Sequence, residues 1–130
     1  MSRLDLIIFG ATGFTGKRTV EELVKILKTK GPLTWGIAGR SKEKLEKVLE
    51  EVGKKTEADL KDIPVIIADV SDENSLNEMA KKGKVIVNCC GPYRFYGEAV
   101  VKACIANKAH HVDVSGEPQV SRIKPILYKS

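Results

Sequence analysis

The sequence predicts an α/β fold: a doubly wound parallel sheet of about five strands with helices on both faces. Three observations carry this. Short apolar runs alternate with amphipathic stretches along the chain. The runs are nearly continuous in apolar residues, as in strands covered on both faces, which parallel sheets require. The first run, in LDLIIFGATGFTG at Leu4 to Gly16, turns through glycines at three-residue steps straight into a helix-patterned segment. Right-handed crossovers between parallel strands then give the doubly wound order.

Each element has its own signal. Leu4 to Phe9 is the first strand. Thr15 to Lys30 follows as a helix, with Val20, Leu23, Val24 and Leu27 at helical spacing. Gly31-Pro32 stops it, and Leu33 to Ala38 is the second strand. Lys42 to Lys54 is the second helix, with Leu45, Val48, Leu49 and Val52 on one face. The stretch from Gly53 to Asp62 reads as a surface loop or helix extension. Pro64 to Ala68 is the third strand, and Ser71 and Asp72 are N-caps for a short helix carrying Leu76, Met79 and Ala80. Lys84 to Cys89 is the fourth strand, and Gly97 to Lys108 a helix with Val101, Cys104 and Ile105 inward. His111 to Val114 is a short fifth strand, an exposed edge unless another strand follows.

Bulk properties bound the function. The 130 residues, 42% hydrophobic and 30% charged, suit one globular domain. No apolar run approaches the ~18 residues of a membrane span. Met1 leads directly into a strand pattern, which predicts no secretory leader and an intracellular, cytoplasmic location. The net charge of +5 does not predict nucleic-acid binding, because the lysines spread over polar helix faces and no aromatic stripe interleaves with them. Adjacent Cys89 and Cys90 point to opposite faces of a strand, and no C-x-x-C pair suggests zinc.

The candidate site residues cluster at strand ends. A strand turning into a helix through small residues is an anion site, because the first helical N–H groups lack internal partners and the helix dipole favours negative charge. Gly10 permits the tight turn, Gly13 lets a pyrophosphate approach the backbone, and Gly16 lets the helix pack on the strand. This is the signature of a dinucleotide-binding Rossmann fold. With Thr12 and Phe14, these glycines form the expected pyrophosphate loop.

The second strand ends in Arg40 and Ser41 where an acid would favour NAD; an arginine there suits the 2′-phosphate of NADP. Ser41 also reads as a helix cap, and Arg40 as a plain surface charge. Asp69, after the third strand, either accepts a hydrogen bond from the adenine amino group or only begins the turn into the next cap. Gly91 and Pro92, after the fourth strand, would let the backbone run close to the nicotinamide ribose.

Neither neighbouring cysteine has a sequence neighbour to activate it, so both read as small buried hydrophobes. Asp113, Ser115 and Glu117 fall toward the carboxyl end of the fifth strand, the catalytic side of such a sheet, whereas His110-His111 lies at the other end and reads as structural. No tyrosine has a lysine four residues on, since Tyr93 is followed at that spacing by Gly97 and Tyr96 by Val100. The catalytic pair of a short-chain dehydrogenase is therefore missing.

With these residues assembled, the chain resembles the N-terminal domain of the saccharopine dehydrogenase-like oxidoreductases. The resemblance rests on GATGFTG at Gly10–Gly16, AGRSKEKL at Ala38–Leu45, NCCGPYRFYGE at Asn88–Glu98, VVKACI at Val100–Ile105 and VDVSGEP at Val112–Pro118. It implies an NADP-binding Rossmann domain over residues 1–118, with residues 119–130 as a C-terminal segment unlike the family's continuation. It also implies a separate, larger domain for the small-molecule substrate and for dimerisation. Hydride transfer would need that domain, so this chain alone would be inactive. Family members in animals are associated with lipid droplets and membranes, which implies the alternative of a non-catalytic, membrane-recruited scaffold.

Overall fold

The computed structural model describes residues 3–30, 33–89 and 94–113, with side chains excepted at 94–97 and 113. The predicted stop at Gly31-Pro32, and Cys90, Gly91, Pro92, Val114, Ser115 and Glu117, lie outside the described residues.

Among the described residues, nine elements alternate in chain order. They are β1 (Leu4–Phe9), α1 (Phe14–Lys30), β2 (Trp35–Gly39), α2 (Lys42–Thr56), β3 (Val65–Ile67), α3 (Glu73–Lys82), β4 (Gly83–Asn88), α4 (Arg94–Ala106) and β5 (His110–Asp113). The five strands form one sheet in the order β3-β2-β1-β4-β5, every pair parallel. The order reverses between β1 and β4, which places the topological switch point at the carboxyl end of β1.

Alternation along β1 feeds two cores. Leu6 and Ile8 face α1 and α2, joining Val20, Leu23, Leu45 and Val52. Ile7 and Phe9 face α3 and α4, joining Leu76, Met79, Val100 and Cys104. The apolar faces expected of α1, α2 and α3 are the ones that are buried. Ion pairs between Lys17 and Glu51 and between Lys55 and Glu21 lace α1 to α2 over the first core.

The structure corrects two expectations, both in the fourth helix. Helix α4 begins at Arg94 rather than Gly97 and ends at Ala106. Its buried face is Val100, Ala103 and Cys104, so the expected inward position of Ile105 is wrong and this residue is 74% exposed. The segment AVVKACIA is apolar almost all round, so its sequence permits several faces and docking on α3 and β4 selects one. Helix α2 extends to Thr56 and closes on left-handed Glu57, whose amide donates to the Gly53 carbonyl. Helix α3 runs into β4 without a connecting residue, Lys82 being followed by buried Gly83.

Ile105→Ser should change unfolding stability by less than about 0.5 kcal/mol, whereas Met79→Ala should cost about 2–5 kcal/mol. Urea unfolding of the two variants beside the wild type checks both.

Candidate functional site

The site is built where β1 gives way to α1. Gly10 takes φ 81°, a left-handed conformation that favours glycine. Its amide and that of Ala11 donate to the Ala38 carbonyl at 2.9 and 3.4 Å, so the loop stays pinned to β2 after β1 has ended. The Gly13 amide closes a turn on the Gly10 carbonyl at 3.3 Å, and the Lys17 amide makes the first helical bond to Gly13 at 2.9 Å.

The other two glycines differ in what they allow. A Cβ on Gly16 would lie 2.0 Å from the Gly10 carbonyl oxygen and 2.7 Å from the Ala11 Cα, so only glycine fits between helix and strand end. A Cβ on Gly13 would meet only the Gly10 oxygen, at an ordinary 3.7 Å. The protein itself therefore does not require glycine at position 13. The side-chain-free surface faces open space.

The start of α1 is electrostatically open. Among the described residues, no hydrogen bond reaches the amides of Thr12, Phe14, Thr15 or Gly16, and the first turn holds no acid. Helices α2 and α3 differ, since Ser41 and Asp72 cap them and Glu43 and Glu73 occupy their first turns. Four amides and the positive end of a 17-residue helix are thus left for an outside anion. Phe14 flanks them, 80% exposed.

The strand ends on either side complete the surroundings. At the end of β2, Arg40 is exposed and makes no hydrogen bond or ion pair among the described residues. Ser41 accepts from the Lys44 amide at 3.4 Å, so its expected capping role is present, and its hydroxyl proton remains available. Asp69 accepts from the amide and the hydroxyl of Ser71, at 2.9 and 2.8 Å. These two bonds, with the Arg40 guanidinium nearby, hold its carboxyl below the usual range. The turn into the α3 cap is therefore present, and it leaves an anion that feels the Arg40 charge.

At the end of β4, Asn88 is 2% exposed and its side-chain nitrogen lies 3.4 Å from His111 Nε2. His110 pairs with Val85 toward the start of β4, whereas the His111 ring reaches the carboxyl end of that strand through Asn88. Cys89 is buried, its amide bonded to the Phe9 carbonyl at 2.8 Å and its Sγ 3.6 Å from Thr19 Oγ1. Thr19 Oγ1 donates to the Thr15 carbonyl at 2.8 Å. This buried chain ties the first turn of α1 to the end of β4. Sequence reading passed over Thr19, and its spacing of four from Thr15 was the available signal. Burial pushes the Cys104 thiol up to about 11, which suits a core filler rather than a nucleophile. No group of three or more metal-ligating side chains occurs among the described residues.

An open helix N-terminus at the switch point of a parallel sheet, approached through side-chain-free backbone, defines a dinucleotide-binding Rossmann domain. Comparison with known proteins gives the particular family. The model of the saccharopine dehydrogenase NADP-binding domain matches residues 6–129, and the chain belongs to that family. The match continues past Gln119, which corrects the expectation that the family pattern ends there.

A lipid droplet localized protein of Caenorhabditis elegans is 52% identical over 118 residues, covering 91% of this chain and 28% of the relative. A human saccharopine dehydrogenase-like oxidoreductase is 45% identical over 130 residues, covering 95% and 30%. The chain thus spans under a third of these relatives. Among solved structures, saccharopine dehydrogenase of Saccharomyces cerevisiae superposes with TM-score 0.63 at 20% identity, over 95% of this chain and 24% of that one. Triphenylmethane reductase of Citrobacter, complexed with NADP(H), gives 0.63 at 17%, over 95% and 44%. These two likenesses concern the fold. The chain is an NADP-binding domain of the saccharopine dehydrogenase-like oxidoreductases.

Gly13→Ala should keep wild-type stability and lose about tenfold to a hundredfold in NADPH affinity, since a methyl group there displaces charge-assisted backbone contacts. Gly16→Ala should instead destabilise the fold by about 3 kcal/mol or more. Thermal unfolding with and without NADPH separates the two.

Proposed function

We propose that the amides around Gly10, Thr12, Gly13, Phe14 and Gly16 hold the cofactor pyrophosphate, with Arg40 and Ser41 on the 2′-phosphate. Asp69 takes the adenine amino group on its free carboxylate oxygen, and Gly91 and Pro92 line the nicotinamide ribose. The carrying observation is the set of unpartnered amides at the start of α1, in a helix that lacks the caps and acids of its neighbours. Arg40 supports NADP over NAD, because an exposed guanidinium with no ion-pair partner at the β2 end is suited to a phosphate.

In the whole protein, NADPH supplies a hydride to a small-molecule substrate, or NADP accepts one. This chain's residues bind and orient the dinucleotide, and a further domain holds the substrate. The relatives' length supports that division, since this chain accounts for 28–30% of them. A homodimer would follow if β5, at the end of the sheet among the described residues, pairs with another copy.

A second reading is a cofactor-binding scaffold at the lipid-droplet surface. The name of the C. elegans relative favours it. No helix among the described residues is long and apolar enough to cross a membrane. NADPH binding by the full-length protein without turnover across lipid and amino-acid substrates would favour this reading over the enzyme.

Titration of NADPH and NADH against wild type and Arg40→Ala tests the cofactor assignment. Loss of one charge-assisted contact, roughly 1.5–3 kcal/mol, should weaken NADPH about tenfold to a hundredfold and leave NADH unchanged. Undiminished NADPH binding by the variant would remove Arg40 from the site.

A further inference from the structure

We infer that Asp69 is a specificity-determining residue, a fixed negative charge that tempers the preference of Arg40 for a 2′-phosphate. The inference rests on the NADP reading of Arg40 given above, and it adds a role that the adenine contact does not contain.

The geometry starts from strand pairing. Gly39 on β2 is in register with Ile67 on β3, and the Ala68 amide donates to the Gly39 carbonyl at 2.9 Å. Arg40 and Asp69 therefore follow the ends of adjacent strands on the cofactor edge of the sheet, Asp69 one step further along than Arg40. They behave differently there. The Asp69 carboxylate is clamped by the Ser71 amide and hydroxyl, and the Asp69 amide is held by Ser75 Oγ at 2.9 Å. Ser75 in turn belongs to the first turn of α3, where its amide bonds the Asp72 cap at 3.3 Å. Arg40 has no such anchor, and the two residues form no ion pair.

The result is a positioned anion near an untethered cation, without the contact that would neutralise either. The Ser71 amide and hydroxyl, and to a lesser degree the Arg40 charge, hold the Asp69 carboxyl below the usual range, so its charge is present at neutral pH. A 2′-phosphate arriving at Arg40 brings nearly two negative charges toward that carboxylate, and exposed charges interact over a Debye length of about 8 Å at physiological salt. The 2′-hydroxyl of NADH brings none. Asp69 therefore penalises NADPH selectively, whereas an adenine contact would act on both cofactors alike.

The test is a pair of neutral variants, Asp69→Asn and Asp69→Ser, in the purified protein, with NADPH and NADH titrated against each. Asparagine keeps an acceptor for Ser71 and for the adenine amino group. Exposed charge pairs are weak, so the expected result is an NADPH-to-NADH affinity ratio raised about two- to fivefold in both variants, whatever the adenine contact takes from both cofactors alike. The gain should shrink as salt is raised. An unchanged NADPH-to-NADH ratio, which includes both cofactors shifted by the same factor, would overturn the inference while leaving the Arg40 assignment standing. A wild type that binds neither nucleotide would instead overturn the cofactor reading beneath it. NADH binding together with a wild-type melting temperature shows that a variant is folded.

Discussion

The architecture of the site depends on one steric constraint, the contact of α1 with the end of β1 at Gly16. A single added carbon there would sit 2.0 Å from a backbone oxygen. Because the helix starts so close to the strand, its first amides emerge directly over the sheet's carboxyl edge. The left-handed turn at Gly10 and the pinning of Gly10 and Ala11 to the β2 carbonyl keep the loop in that path. The buried link from Cys89 through Thr19 to Thr15 fixes the same turn from the β4 side. The loop is held by its neighbours on both flanks, and its open surface is what remains.

Charge is arranged to match. The capped, acid-bearing starts of α2 and α3 satisfy their own amides. Helix α1 places its acids, Glu21 and Glu22, away from its first turn, and they pair with Lys25 and Lys55. The net positive charge is thus largely a property of helix surfaces, whereas the charge proposed to hold the cofactor is local, made of backbone dipoles and one arginine.

Local signals carried much of this. Helical spacing gave the buried faces of α1, α2 and α3 because each has a polar side to contrast with its apolar one. Helix α4 has little such contrast, and the residue that faces solvent, Ile105, is as apolar as those that do not. The glycine loop was legible because Gly10 and Gly16 each answer a short-range geometric demand. Arg40 and Asp69 were legible one at a time. Their adjacency was not, because it comes from β2–β3 pairing between segments nearly thirty residues apart. Thr19 escaped notice for a related reason, since its partner Cys89 lies seventy residues away in sequence.

The direct passage of α3 into β4 has a consequence for how this fold can vary. With no residue between Lys82 and Gly83, and with a Cβ on Gly83 set to collide with the Ile7 side chain at 2.7 Å, that junction has no slack. An inserted residue would either unwind the last turn of α3 or slide β4 against β1, and a one-residue slide exchanges the two faces of the strand. The eight-residue link between Thr56 and Val65 has room to lengthen. Length variation among related chains should therefore gather on the α2–β3 side of the sheet and spare the α3–β4 junction.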